Sequence, residues 1–203
     1  MCVEEDMERA KITRENIILQ AAGIFNQKGF AGASLADLME ATGLKKGGIY
    51  NHFESKDEIV FESFDFAVRQ INKAYYKAIR NLESPLQKLV AIINYYRGSA
   101  LNPVIKGGCP ILNTVIDSDN THPELKKRAR QALNNWINNI AEIIEQGKHR
   151  AEIKNSVDAA KSAAVIIASI EGGHVLARGL EDLKYMDIVA EQLLDYIHRE
   201  LQA

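Results

Sequence analysis

Cysteine, tryptophan and proline are scarce in this chain, which has 203 residues with two cysteines, one tryptophan and four prolines. Two cysteines, Cys2 and Cys109, are too few for a disulfide framework or for a cysteine-built zinc site. The longest apolar run, residues 163–170, is far shorter than the roughly 20 residues that span a bilayer. The N-terminus is acidic and lacks the apolar core of a signal peptide. These absences predict a soluble, cytoplasmic protein without a membrane partner.

Catalytic and metal-binding motifs are also missing. The five histidines show no metal-ligand spacing, and there is no G-x-S-x-G, Walker loop, G-x-G-x-x-G or C-x-x-C. No alternating pattern of useful length predicts a β-strand. We therefore expect an all-α fold with no cofactor, no metal and no enzymatic activity.

Charge is nearly balanced over the whole chain, with a net charge of -2. Residues 4–8 form an acidic start that is expected to fray. From residue 9 to residue 56, basic residues outnumber acidic ones. Such a local excess is enough for a surface that faces phosphates, although the whole molecule is not basic enough to bind nucleic acid non-specifically.

Three short helices are predicted over residues 13–56. Thr13 is expected to cap the first helix and Gly29 to end it. Ser34 precedes Asp37 in the S-x-x-D spacing of a capping box, and Gly43 provides the left-handed conformation that ends a helix sharply. Apolar residues that can hold the second and third helices against the first are Leu35, Leu38, Met39, Leu44, Ile49 and Phe53. This pattern is typical of a helix-turn-helix, whose second helix enters the major groove of DNA.

The third of these helices contains two adjacent glycines, Gly47 and Gly48. Each costs roughly 1 kcal/mol relative to alanine inside a helix, and a missing Cβ permits close approach to a nucleic-acid backbone. The alternative is a solvated helix start with a flexible glycine pair. Lys56 lies in the first turn of the next helix, where an anion is favoured; a solvated lysine is its alternative, and capping alone can explain Thr13. The predicted DNA contacts are Thr13, Ser34, Lys45, Lys46, Gly47, Tyr50, Asn51, His52 and Lys56.

The stretch from residue 13 to residue 56 resembles the DNA-binding domain of TetR-type transcriptional regulators. The resemblance lies in ILQAAGIFNQKGF, SLADLMEATGLKKGGIYNHF and SKDEIV. It implies an all-α homodimer that binds a palindromic operator through an N-terminal domain, here residues 1–55. It also implies a larger domain, residues 56–203, for effector binding and dimerisation, with repression that a ligand relieves.

Six further helices are predicted beyond the first domain. Helices are predicted over about residues 56–81, 85–101, 110–118, 123–147, 157–179 and 185–201. The penultimate helix is rich in small residues, which allow close approach of helices, and the last one adds apolar area. A two-fold dimer through a four-helix bundle is expected here, whereas the alternative makes both helices the core of a monomer. The predicted interface residues are Ala163, Ile167, Ile170, Val189, Leu193 and Tyr196.

An effector cavity is expected among the central helices of the second domain. Aromatic and polar residues on otherwise apolar faces are the candidates for its walls, although such residues are often plain core. They are Phe64, Tyr75, Tyr96, Cys109, Asn113, Trp136 and His174. Their character favours a small hydrophobic effector. Cys109 begins a helix, where a thiolate is stabilised, so modification of Cys109 is a second release mechanism; a buried, inert thiol is the alternative.

The function predicted from these patterns is sequence-specific regulation of transcription, with repression by a homodimer as the main hypothesis. Two other readings stay open at this point. A helical small-molecule-binding protein can use its helix-turn-helix to bind another protein, and an all-α enzyme can act in the C-terminal cavity. Activation in place of repression depends on where the operator lies.

Overall fold

A computed structural model describes residues 2–119 and 122–203, and these residues form an all-α fold. The helices are α1 (Cys2–Gly32), α2 (Leu35–Thr42), α3 (Lys46–Tyr50), α4 (Lys56–Ile79), α5 (Pro85–Ser99), α6 (Pro110–Ser118), α7 (Pro123–His149), α8 (Ala159–Gly179) and α9 (Lys184–Tyr196). A π-helical turn, Ile197–Leu201, follows α9. Within the described ranges there is no strand, only an isolated bridge between Ile153 and Gln202. The predicted fold class is therefore confirmed.

The chain divides into two compact units. The first contains Met1–Ile71 together with Ile105–Lys127, and the second contains Asn72–Val104 together with Arg128–Ala203. Two helices, α4 and α7, run from one unit into the other. The predicted domain boundary at residue 55 stays a prediction, but the first compact unit also includes the start of α4 and all of α6.

The core of the first unit is formed by α1, α2, α3 and the start of α4. Its buried residues are Ile17, Ile18, Ala21, Leu38, Ile49, Phe53 and Ile59, and partly buried Ile24, Phe25, Leu35, Met39 and Leu44 pack against them. This core contains all six apolar residues that were predicted to hold the second and third helices against the first. Burial of the inward side of α2 and α3 leaves their other sides free to contact a partner.

The start of α1 differs from the prediction. The helix begins at Cys2, and the acidic residues near its start are helical, so the frayed tail and the cap at Thr13 are both wrong. Thr13 lies inside the helix, where its hydroxyl donates to the carbonyl of Arg9 at 2.9 Å. A threonine hydroxyl can accept a hydrogen bond at the start of a helix, and inside a helix it can donate to the carbonyl four residues earlier. The residue type alone therefore did not distinguish a cap from a position inside the helix. At Gly29 the backbone leaves helical geometry, with φ 72° and ψ 171°.

The two ends of α2 have the predicted chemistry. The Ser34 hydroxyl accepts from the backbone N–H of Asp37 at 3.2 Å, and the Asp37 carboxylate accepts from the backbone N–H of Ser34 at 2.7 Å. Gly43 has a left-handed conformation, φ 70° and ψ 7°, and its N–H donates to the carbonyl of Met39. The α3 helix is shorter than predicted, with five residues, and the chain turns at Asn51.

In the second unit, α8 and α9 pack closely together. A Cβ at Gly173 would lie 2.7 Å from the sulfur of Met186 and 3.2 Å from Val189, so the absence of a side chain there permits this contact. Ion pairing ties α9 to α5, where the Arg97 guanidinium lies 2.6 Å from the carboxylate of Asp187. The last helix was predicted to continue to Leu201, but its final turn has π-helical hydrogen bonding.

Candidate nucleic-acid interface and effector region

The outward side of α3 carries most of the predicted DNA contacts. Lys45, Lys46, Gly47 and Asn51 are exposed, and Tyr50 and His52 are half-buried. Ile49 is fully buried and anchors the helix to the core of the first unit. Lysine and amide side chains on a helix held in this way can reach phosphates and base edges.

The two glycines of α3 have no packing function within the chain. A Cβ at Gly47 would meet nothing within 4 Å, and a Cβ at Gly48 would make only ordinary contact with Leu44 at 3.5 Å. Neither glycine has a positive φ. The fold therefore accepts alanine at both positions, and the small size of these residues serves nothing inside the described chain.

The lysines near this surface differ in what their ammonium groups contact. Neither Lys45 nor Lys46 forms an ion pair within the part of the chain that the structure describes, and the ammonium of Lys46 lies 5.9 Å from the ring centroid of Tyr50. Lys28 forms an ion pair with Asp37 at 2.5 Å. Lys56 donates to the carbonyl of Phe30 at 2.9 Å and lies 4.7 Å over its ring.

These contacts bear on three of the predicted DNA contacts. The Lys56 ammonium ties α4 to the segment that follows the kink at Gly29, and the hydroxyls of Thr13 and Ser34 are hydrogen-bonded within the chain. Ser34 stays exposed and Lys56 half-exposed. Contact of these three residues with DNA remains a prediction.

Arg14 is a residue whose importance the sequence did not reveal. Its guanidinium forms a bidentate ion pair with Glu62, lies 3.3 Å from Glu58, and sits 4.6 Å over the ring of Phe53. Hydrogen bonding to Glu62 raises the pKa of Arg14. The network joins α1 to α4 beside α3 and so orients the helix-turn-helix. Its partners are 44 and 48 residues away in the chain, so no local pattern could have identified them.

The seven effector candidates lie in two different units. Phe64, Cys109 and Asn113 belong to the first, and Tyr75, Tyr96, Trp136 and His174 belong to the second. Within the second unit, the Tyr96 ring lies 5.4 Å from that of Trp136 and 5.8 Å from that of His174. His174 Nε2 is 2.9 Å from the carbonyl oxygen of Tyr96. We call Tyr96, Trp136 and His174 the aromatic cluster.

Asn113 has a structural contact that the sequence did not indicate. Its amide nitrogen donates to the backbone and side-chain oxygens of Asn26, at 3.1 and 3.0 Å, and to the carbonyl of Gly107 at 2.9 Å. The Asn26 amide in turn donates to the carbonyls of Lys106 and Gly108, both at 2.9 Å. These bonds, which we call the amide clamp, hold α6 and its preceding loop against α1. A role of Asn113 in effector binding stays a prediction.

The predicted dimer residues are mostly inside the chain. Ala163, Ile167, Ile170 and Leu193 are at most 5% exposed, because α8 turns them toward its own core. These four side chains therefore expose little surface in the single chain, and their part in a dimer interface stays a prediction. Val189 and Tyr196 are half-buried. A different set of apolar side chains on α8, on α9 and in the turn between them is exposed: Val165, Val175, Leu176, Leu180, Leu183 and Ile188. We call this set the outer apolar face.

Metal binding and membrane insertion find little support in the described residues. No group of three or more His, Cys, Asp or Glu side chains there is placed to hold a metal ion. One helix, α8, is long and apolar enough to cross a membrane by length and composition alone. Half of that segment is buried inside the protein, as in an ordinary core helix.

Family models match both parts of this architecture. The model described as "Bacterial regulatory proteins, tetR family" matches residues 17–62, which include the helix-turn-helix. The model described as "Tetracyclin repressor-like, C-terminal domain" matches residues 85–193, more than half of the chain. The chain belongs to the TetR family. It is a TetR-family regulator of transcription with a DNA-binding helix-turn-helix.

Known proteins resemble this TetR-family regulator over nearly its whole length. A TetR transcriptional regulator from Chloroflexus aurantiacus has a TM-score of 0.93 and 37% identity, covering 96% of this chain and 98% of its own. The HTH-type transcriptional repressor DhaR from Mycobacterium sp. is 24% identical over 89% of this chain and 92% of its own length. A cysteine mutant of the TetR-family regulator CifR, in complex with 26-bp operator DNA, has a TM-score of 0.78 and 18% identity, covering 89% and 94%.

Proposed function

We propose that this TetR-family regulator is a homodimeric repressor that leaves a palindromic operator when a small hydrophobic molecule binds in its second unit. The observation that carries the proposal is the exposed α3 surface, where Lys45 and Lys46, which form no ion pair with a described residue, precede the open Gly47. Repression is supported by the name of the related DhaR. The protein acts in the cytoplasm, where the DNA lies, and it has no catalytic role.

DNA recognition in this proposal begins with Gly47. Because a Cβ there would meet no atom of the described residues within 4 Å, its absence is of use to a molecule that approaches from outside. Lys45 and Lys46 then neutralise phosphates, while Tyr50 and Asn51 face base edges in the major groove. The operator DNA in the CifR complex supports DNA as the partner of this fold.

Dimerisation in this proposal uses the outer apolar face. Exposed leucine, valine and isoleucine side chains from two adjacent helices form a larger apolar surface than isolated residues do, and such surfaces are typical of interfaces between proteins. A Cβ at Gly172 of α8 would meet nothing within 4 Å, which leaves room for a helix of the second copy. A two-fold pair then presents two α3 helices to successive major grooves about 34–36 Å apart.

The experiment that tests the proposal is selection of bound DNA from genomic fragments, followed by fluorescence anisotropy on the selected sequence. We expect a palindromic site, two chains bound per site and nanomolar affinity that falls steeply with salt, as is typical of specific binding. A screen of hydrophobic compounds for release from this site then identifies the effector class. Equal affinity for the selected sequence and for a scrambled duplex would contradict sequence-specific regulation.

Modification of Cys109 is a second mechanism of release that one observation favours. Cys109 occupies the N-cap of α6 and is partly exposed, and its neighbour Gly108 accepts a hydrogen bond of the amide clamp. A bulky adduct on the thiol would strain the loop that α1 holds. The test is the rate of Cys109 alkylation together with operator affinity before and after it. A rate no faster than that of a free thiol, with unchanged affinity, would exclude this mechanism.

A further inference from the structure

The second unit contains two buried hydrogen-bond donors without an acceptor. Tyr75 is 3% exposed and Trp136 is 8% exposed. Neither the phenol oxygen of Tyr75 nor the indole nitrogen of Trp136 has a hydrogen-bond partner in the described chain. Burial removes a donor from water, and an unpaired one receives nothing in return. Most buried polar groups in native proteins are paired, so two such donors in one unit indicate that an acceptor comes from another molecule.

Their surroundings are apolar and aromatic. Trp136, on α7, lies against the Tyr96 ring of α5 in the aromatic cluster. The third member, His174, already uses Nε2 in its contact with the carbonyl oxygen of Tyr96. Tyr75, near the end of α4, has its ring 5.2 Å from that of Tyr76. Rings supply apolar contact area, and an indole N–H or a phenol O–H beside them can orient a bound molecule.

Charge in this region argues against an anion. Both donors are neutral, and burial raises the pKa of Tyr75, which keeps its hydroxyl protonated. A carboxylate brought among these buried aromatic side chains would lose its hydration. An uncharged acceptor, such as a ketone or ester carbonyl, does not meet this penalty.

We propose that the effector is an uncharged, mainly apolar molecule with a carbonyl-type acceptor, which accepts hydrogen bonds from Tyr75 and Trp136. This inference rests on the proposed function, because it specifies the ligand of the same effector site. It also gives a function to Tyr75 and Trp136, whose buried hydrogen-bond donors otherwise lose water as a partner without gaining another. The Tyr75 and Trp136 donors select molecules that carry a hydrogen-bond acceptor, and the aromatic rings select molecules that are otherwise apolar.

The first test compares two tyrosine-to-phenylalanine variants without any ligand. In Tyr75→Phe the lost hydroxyl has no partner, so the thermal unfolding midpoint is expected to stay the same or rise. In the matched control Tyr196→Phe, the lost hydroxyl bonds to the Ser162 hydroxyl at 3.0 Å, so the midpoint is expected to fall. An equal fall in both variants would overturn the inference, because Tyr75 would then have a partner in the free protein.

The second test uses probes that differ only in the acceptor: 4-tert-butylcyclohexanone, tert-butylcyclohexane and 4-tert-butylcyclohexanecarboxylate. Trp136 is the only tryptophan, so its fluorescence reports binding next to the proposed donor. The ketone is expected to bind about three- to tenfold more tightly than the hydrocarbon, as one or two neutral hydrogen bonds allow. The ratio of ketone affinity to hydrocarbon affinity should fall in Tyr75→Phe. It should also fall in Trp136→Phe, in which binding is measured by the ligand-induced rise in the unfolding midpoint because the tryptophan is gone. The hydrocarbon should bind all three proteins alike.

Two results would overturn the inference. One is that the ketone binds no more tightly than the hydrocarbon or the carboxylate. Absence of detectable binding by any of the three probes counts as the same result. The other is a ketone preference that both variants retain in full. Operator affinity of the wild-type protein is measured in parallel. If the ketone preference fails while operator binding is intact, only the inference is lost, whereas a wild-type protein that binds no operator contradicts the proposed function itself.

Discussion

At the scale of single residues, the role of each lysine in the first unit follows from what its ammonium group contacts. Lys28 pairs with Asp37, and Lys56 donates to the carbonyl of Phe30. Lys45 and Lys46 form no ion pair with any described residue, so their charge is available to phosphates without the loss of an internal contact. Neutralising a phosphate releases condensed counterions, which makes the contribution of each lysine measurable through salt dependence.

Lys46→Ala is expected to weaken operator binding and to lower the slope of log affinity against log salt by about 1. Fluorescence anisotropy at several salt concentrations measures both quantities. Lys73→Ala, which removes an exposed lysine from the second unit, is the matched control and should change neither. A slope that Lys46→Ala leaves unaltered would mean that this side chain faces solvent or a base edge.

Asp37 makes the stability of the first unit depend on pH. The Lys28 ammonium, with further hydrogen bonds from Ser34, holds the pKa of Asp37 well below its usual value. A lowered carboxyl pKa stabilises the folded state above the unfolded-state pKa, and this contribution is lost as the pH falls through the folded-state pKa. The loss therefore begins near the ordinary value of 3.8 and continues below it.

Asp37→Asn is expected to lower the unfolding midpoint at neutral pH, because asparagine keeps a capping oxygen but loses the ion pair with Lys28. The difference from wild type should narrow as the pH drops from about 5 to about 2. Circular dichroism melts across this range measure it. A difference that stays constant with pH would show that Asp37 does not titrate as its contacts indicate.

At the scale of elements, α3 combines poor helix propensity with good anchoring. Two of its five residues are glycines, so the helix depends on burial of Ile49 and on the turn at Gly43. The same glycines have no contact that would exclude a methyl group. In the proposed mode of DNA binding, stability and DNA binding therefore make opposite demands at Gly47, and a single substitution can separate them.

Gly47→Ala is expected to stabilise the free protein by about 0.5–1 kcal/mol, since alanine is the better helix former and the position is open. It should weaken operator binding at the same time, because its methyl group occupies the space of the DNA backbone. Gly98→Ala is the matched control, as Gly98 lies in α5 and a Cβ there would also meet nothing within 4 Å. Urea unfolding and anisotropy measure the two effects. Undiminished operator affinity in Gly47→Ala would contradict a close approach at this residue.

The amide clamp joins α6 to α1 through neutral hydrogen bonds. Asn113→Ala removes three of them and leaves acceptors on Asn26 and Gly107 partly buried, so a loss of about 1–3 kcal/mol in the free energy of unfolding is expected. Asn135→Ala, at an exposed position of α7, is the control and should lie within about 0.5 kcal/mol of wild type. Urea denaturation distinguishes the two, and equal stability of both variants would mean that water replaces the clamp.

At the scale of the whole molecule, the proposed pairing of two chains decides how tightly the operator is held. One α3 helix reads a single half-site, whereas a linked pair makes binding of the second half-site an intramolecular event. The outer apolar face has the exposure that an interface requires, while the inner side of α8 is used by α9. Disruption of pairing should therefore affect DNA binding much more than it affects folding of each chain.

Leu176→Glu, at a residue 46% exposed on α8, is expected to give a folded monomer whose operator affinity is lower by roughly a hundredfold or more. Ile116→Glu places the same charge at a residue 69% exposed on α6 and should remain a dimer with normal affinity. Sedimentation velocity and anisotropy measure these outcomes. A Leu176→Glu protein that still sediments as a dimer would locate the interface elsewhere.

Local chemistry accounts for what the sequence determined by itself. The cap at Ser34, the left-handed Gly43 and the starts of α5 and α6 at prolines depend on bonds that close within about four residues. The apolar spacing of α1 and α2 likewise defines which side is buried. The helix-turn-helix and the all-α class were therefore predicted from the residues themselves, whereas the family came from the resemblance of residues 13–56 to TetR-type regulators.

Tertiary structure alone decided which long-range partners meet. Arg14 finds Glu58 and Glu62, and Asn113 finds Asn26, across distances in the chain that no periodicity describes. The α8 helix is apolar on nearly every side, so its pattern could not say which side α9 covers. Packing against α9, with Gly173 pressed on Met186, turned Ile170 inward and left Leu176 exposed, because only one face of a helix can be buried against a given neighbour.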